Sequence, residues 1–161
     1  MSSPEHKQKI WNLIRGIRTG MLTTLHGKEL RSRPMYLVQD KYDGTLWFFT
    51  DLHAEKVFEV EEDNDVCVAF ADPHEDIYVS MTGTGCVTRD KKLIDRFWNP
   101  FVADWFPEGK DSENVGLLEI HIDKGEHWNT DTSKMVMFYK MARDRNEMPM
   151  LGEHEKFGTS D

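Results

Sequence analysis

Cysteine is scarce. The 161 residues hold two, Cys67 and Cys86, both inside strand-like sequence and neither in a C-x-x-C pair. That excludes a disulfide framework and a zinc ribbon, and it makes a reducing cytoplasm the expected compartment. Basic residues are also few, 20 against 29 acidic, for a net charge of −9. A field of that sign repels phosphate backbones and anionic lipid, so neither nucleic acid nor a membrane is an expected partner. Long apolar runs are missing. The longest, Val66 to Ala71, is far too short for a transmembrane span, and the opening MSSPEHKQK has no secretory core. The serines form no G-x-S-x-G elbow, and the seven histidines make no H-E-x-x-H or other close pair on a helix face, so no metal is expected.

What is present suits a single folded domain over residues 1–150, with a polar, mobile tail over 151–161. Apolar residues make up 39% of the chain, and 5 Trp, 4 Tyr and 9 Phe supply core material along its length. The chain opens on a predicted helix. Ser3 caps, Pro4 takes the first helical position, Glu5 favours the dipole, and Ile10, Leu13, Ile14 and Ile17 repeat at helical spacing up to a stop at Gly20. Strand-forming runs follow at Met21–Leu25, Pro34–Gln39, Leu46–Thr50 and Val66–Ala71, with Asp43-Gly44 as a hairpin signal. A short helix is expected between Thr50 and Asp65. Ile77–Thr88 reads as one long strand that Gly83 and Gly85 allow to bend or bulge. Leu93, Ile94, Phe97 and Trp98 mark another helix, broken at Pro100 and Pro107, and Val115–Ile122 is a further strand. Ser133–Arg143 reads as a last helix, packed through Met135, Met137 and Met141. Many antiparallel strands with helices at the corners imply a mainly β fold with peripheral α-helices, closed as a small barrel.

Two segments carry candidate chemistry. Arg31-Ser32-Arg33-Pro34-Met35 places two cations and a proline in a strand, where proline is confined to edges and bulges. In the run Trp47 to Lys56, an aromatic strand ends in the Thr50 hydroxyl and passes into a helix start. Hydroxyl, helix amides and Lys56 would form a cradle for one phosphate group. The alternative is a plain strand-turn-helix, capped by Asp51, with Lys56 solvated. The glycines of Thr82–Cys86 lie between strand segments rather than at a helix start, so they do not form a nucleotide loop.

In this order, the segments resemble the flavin-binding split barrel of the pyridoxamine 5′-phosphate oxidase-like superfamily, and within it the bacterial general stress protein 26 group. The resemblance runs from about Met21 to Met141. It rests on Arg33-Pro34-Met35, Phe49-Thr50 with Lys56, Ser80-Met81-Thr82-Gly83, Phe97-Trp98-Asn99-Pro100, Trp105-Phe106-Pro107 and Glu126-His127-Trp128. It implies a six-stranded antiparallel split barrel and a homodimer with FMN, or FAD, at the subunit interface. Arg33, Pro34 and Met35 would lie along the isoalloxazine edge. Phe49 and Thr50 would flank the flavin, with Thr50 and Lys56 towards its phosphate. Tyr78 stands where the oxidases carry a flavin-contacting glutamine, and Trp128 would approach the ring from the partner chain.

The departures reduce the positive charge. Glu55 replaces an arginine and Gln39 a lysine, so Arg31 or Arg33 would have to compensate. No arginine-histidine element follows Met150, so true pyridoxamine 5′-phosphate oxidase activity is not expected. The resemblance implies a redox-related, flavin-binding stress protein. A flavin-dependent NAD(P)H oxidoreductase, a non-enzymatic flavin buffer, and a barrel holding deazaflavin or haem are the alternatives.

Overall fold

The computed structural model describes residues 4–129 and 153–158; the helix expected over Ser133–Arg143 lies outside them. Helix α1 (Pro4–Ile14) leads into β1 (Thr19–His26), β2 (Glu29–Tyr36) and β3 (Thr45–Asp51). Then come α2 (Glu55–Glu62), β4 (Asp65–Asp72) and β5 (Ile77–Thr88). The helices α3 (Lys91–Phe97) and α4 (Pro100–Trp105) precede β6 (Val115–Asn129) and β7 (Glu153–Gly158). Every ladder is antiparallel, in the order β2-β1-β4-β5-β6-β3, with β7 also on β6. The path thus has six strands and the sheet seven.

The two ends of this path meet at one point. Leu37, just past β2, bridges Phe48 of β3, and Val38 donates to the Trp47 carbonyl at 3.2 Å. The sheet is a barrel with a seam. The hairpin expected at Asp43-Gly44 forms only as a turn, with Gly44 at φ 112°. Gln39 explains why. Its side chain, 3% exposed, accepts from Trp47 N at 2.7 Å and donates to the Thr45 and Lys41 carbonyls at 2.6 and 3.0 Å. A side-chain amide satisfies groups that a ladder would have paired, and β3 pairs with β6 instead.

Alternation along the strands fills the barrel with Leu22, Leu46, Phe48, Val68, Phe70, Val79, Met81, Leu118 and Ile120. Ile10, Trp11 and Ile14 of α1 and Val60 of α2 join the same cluster. Each such burial contributes roughly 1.5–3 kcal/mol. The helix does not run to Gly20. It ends at Ile14, and Arg18 makes the left-handed turn at φ 64°. The Arg18 guanidinium donates to the Gln39 carbonyl at 2.6 Å and lies over the Trp11 ring, contacts that offset the backbone cost. Gly20 sits in β1, where a Cβ would fall 2.7 Å from Val68.

β5 is continuous, and its bulge falls at Thr82/Gly83. A Cβ on Gly83 would lie 1.9 Å from the His121 carbonyl oxygen. The tail read as mobile supplies β7. Phe157, 9% exposed, fills the space above Gly125, whose own Cβ would stand 2.3 Å from the Phe157 ring. A buried aromatic fixes the segment despite its polar composition. Among the described residues, no helix is long and apolar enough to cross a membrane.

Candidate functional site

Where β2 and β3 run out beside the seam, the chain leaves a cavity of about 650 Å³, within the range of small-molecule sites. Pro34, Met35 and Tyr36 line it from β2, and Phe49, Thr50 and Asp51 from β3. Its far wall is the segment after α3. Asn99 caps α4 by accepting from Val102 N at 2.9 Å, and Pro100 occupies the first turn. Pro100 therefore ends one helix and starts the next. The short helix and the turn after it bring Phe101, Trp105 and Phe106 to the cavity. Tyr36 and Phe101 have ring centroids 4.2 Å apart, and Phe49 meets Trp98 edge-on at 5.6 Å. Tyr36, Phe101 and Trp105 stay exposed, Trp105 to 71%. Thr19, Glu108, Ser112 and Asn114 add polar groups. The aromatics between Pro100 and Pro107 are lining residues that the sequence motifs did not assign. Their sequence signals are their density between two prolines and the Trp105-Phe106-Pro107 motif, which the resemblance used without giving it a role at the flavin.

Of the residues singled out from sequence, Pro34, Met35, Phe49 and Thr50 meet at this cavity. Arg31 and Arg33 do not line it. Alternation turns them to the other face of β2 from Pro34 and Tyr36, towards α2. There Arg33 lies 2.8 Å from Glu59 and donates to Thr24 at 2.8 Å, while Arg31 stands 3.5 Å from Glu59. Thr24 also donates to the Glu59 carboxylate. Burial by itself raises the Glu59 carboxyl, but the hydrogen bonds from Thr24 and Arg33 and the charges of Arg33 and Arg31 outweigh it. They hold the group below its ordinary value. Both arginines thus face a buried acid at 2% exposure.

Tyr78 and Trp128 are cross-strand partners on β5 and β6, and neither lines the cavity. Lys56 lies in the first turn of α2, and its side chain is outside the described residues. The cap expected from Asp51 is not made. Asp51 accepts from His53 N at 2.9 Å, and the N-cap of α2 is Ala54, which makes no side-chain hydrogen bond. The Gln39 side chain is occupied by the loop it ties together.

A mainly β fold whose antiparallel sheet is closed by one bridge, with an aromatic cavity beside the seam, defines a split-barrel protein. The chain belongs to the family described as pyridoxamine 5′-phosphate oxidase like, which matches residues 5–148. Among solved structures it is similar to the general stress FMN/FAD binding protein of Xanthomonas citri. That likeness has 29% identity and a TM-score of 0.70, over 81% of this chain and 93% of that one. It is also similar to general stress protein 26 of Bacillus anthracis, at 26% identity and a TM-score of 0.67, over 75% of this chain and 92% of the other. A curated relative, protein bli-3 of Neurospora crassa, is 24% identical over 127 residues; the match covers 72% of this chain and 60% of the relative's length.

Proposed function

We propose that the protein binds FMN, or FAD, with its isoalloxazine in the cavity beside the seam, and that it does so as a homodimer. The observation that carries this is the meeting of Pro34, Met35, Phe49 and Thr50 in one aromatic-lined space. Two separate motifs, assigned to a flavin by resemblance, supply those four residues. The family and the FMN/FAD-binding relative from Xanthomonas citri support the same reading. The lining fits a planar aromatic ring. Among the described residues its lining holds no lysine or arginine side chain, and on this reading the phosphate falls to Thr50, the uncapped start of α2 and Lys56. Bound flavin would supply redox chemistry through its isoalloxazine. The chain's own part is to hold, orient and shield it.

The dimer is supported by exposed apolar groups, of which Phe101 and Trp105 line the cavity while Met21 and Leu30 lie on the β1–β2 hairpin. Met21, Leu30, Phe101 and Trp105 are 43%, 72%, 45% and 71% exposed, and β2 is an open sheet edge. On this reading Tyr78 and Trp128 serve the partner's flavin.

The test is a titration with FMN, FAD and riboflavin, followed by flavin fluorescence, with sedimentation in parallel. Saturable binding of one flavin per chain is expected, at about twice the chain mass. A monomer, or a protein whose flavin signal never saturates, overturns the reading. NAD(P)H oxidation above the free-FMN background separates an enzyme from a flavin carrier.

A further inference from the structure

Away from the cavity, the β5–β6 ladder gathers a second set of side chains. Glu119 and His121 are two residues apart on β6, so strand alternation puts them on one face. Cys86 of β5 is the cross-strand partner of Glu119 and joins them there. One ligand atom from each residue lies within 4.8 Å of the other two. The Cys86 thiol is 3.6 Å from one Glu119 carboxylate oxygen, and His121 Nε2 is 3.1 Å from the other. Around a tetrahedral zinc ion, with bonds of about 2.0–2.3 Å, adjacent ligand atoms stand about 3.4–3.6 Å apart. The two distances, 3.1 and 3.6 Å, run to different oxygens of the Glu119 carboxylate, and both lie close to that spacing.

A further residue orients the set. Thr45 of β3, paired with His121 in the ladder, has its hydroxyl 3.3 Å from His121 Nδ1. With the Nδ1 proton directed at that oxygen, the Nε2 lone pair points to the thiol and the carboxylate. Ligating histidines are held in this way.

We propose that Cys86, Glu119 and His121 bind a single zinc ion, with Thr45 positioning the imidazole. Thiolate with imidazole and carboxylate suits zinc and disfavours magnesium and calcium. The ligands stand on paired strands rather than loops, so the backbone holds their spacing. Cys86 and His121 are exposed, and a fourth position opens to water. On binding, the thiol proton is released to solvent and a zinc–sulfur bond forms, with no change in oxidation state. The site is independent of flavin.

The experiment uses untagged full-length protein, reduced and free of flavin, titrated with cobalt(II) and then zinc(II). One equivalent of cobalt per chain is expected to give a thiolate charge-transfer band and the visible bands of tetrahedral cobalt, and zinc should erase both. Cys86→Ser should abolish the charge-transfer band, whereas Cys67→Ser should leave it. Zinc affinity, measured against a chromophoric chelator, should fall at least about tenfold in His121→Ala and about 10- to 100-fold in Thr45→Val. Thr45→Ser keeps the hydroxyl and should restore it. All these side chains except that of Cys67 lie on the proposed site, and circular dichroism checks each fold. Absence of the band, its survival in Cys86→Ser, its loss in Cys67→Ser, or unchanged zinc affinity in both His121→Ala and Thr45→Val overturns the proposal.

Discussion

Arg33 and Glu59 stand 2.8 Å apart, joining a strand at one end of the sheet path to the helix that follows the strand at the other end. The pair is asymmetric. Glu59 is almost wholly buried, while the Arg33 side chain keeps 21% of its surface in water. Removing the acid's charge therefore weakens three contacts at once, those from Arg33, Thr24 and Arg31.

Glu59→Gln should lower unfolding stability by about 2 kcal/mol, the scale of a hydrogen bond to a charged group. The folded carboxyl is held below its ordinary value, so its stabilisation is complete above the unfolded value, roughly pH 4.3. It is lost as pH falls through the folded value. Urea unfolding at neutral pH should separate wild type from Glu59→Gln, and the gap should close on acidification. A gap that widens in acid contradicts this assignment.

Lys56→Ala tests the phosphate end of the proposed flavin site. Loss of one charge-assisted hydrogen bond, about 1.5–3 kcal/mol, weakens FMN roughly 10- to 150-fold. Riboflavin, which has no phosphate, should lose little. Equal losses for both ligands would move Lys56 away from the phosphate, and no loss for either would leave it a solvated surface residue.

Phe157→Ala should cost about 3 kcal/mol, as for other buried aromatics cut to alanine. The ring covers Gly125 and lies 5.6 Å from that of His6 on α1, so it ties β7 to both sheet and helix. Thermal unfolding measures this directly. A variant as stable as wild type would mean that β7 contributes nothing to the fold.

Gly83→Ala should destabilise the protein by at least about 1–3 kcal/mol, because the added methyl meets backbone at the bulge. Gly16 has open space around it, and Gly16→Ala should stay within roughly 0.5 kcal/mol of wild type. Paired denaturant curves give the comparison.

The strands were legible from sequence where short runs of strand formers stand between turn residues, as Leu46–Thr50 does after Asp43-Gly44 and Val66–Ala71 before Asp72-Pro73. Gly20 misled because its small size serves packing against Val68 and Phe70, and sequence does not distinguish that need from a turn. Asp43-Gly44 marked a turn correctly but not its partners, since the pairing of β3 with β6 is long-range. The tail read as mobile from its polar composition, whereas residues 153–158 pair with β6 as β7 and bury Phe157. The cavity was half legible. Pro34, Met35, Phe49 and Thr50 were assigned to a flavin by the resemblance, whereas Phe101, Trp105 and Phe106, though Trp105-Phe106-Pro107 belongs to it, were given no place in the site and reach it only through tertiary folding. Arg31 and Arg33 read as free cations because their counter-charge, Glu59, lies in another element. The Cys86, Glu119 and His121 cluster was invisible for the same reason, its spacing being set across strands and not along one.

The seam between Leu37 and Phe48 also bears on the order in which the chain organises itself. That bridge closes a loop of only about ten residues, so it forms without a long search. The β3–β6 ladder is different: its Thr45–His121 contact spans 76 residues. Closing that loop costs about 2 kcal/mol more chain entropy than closing the seam. By loop length alone, bringing β6 back to β3 carries the larger entropic cost, and joining the barrel's two ends adds little to it.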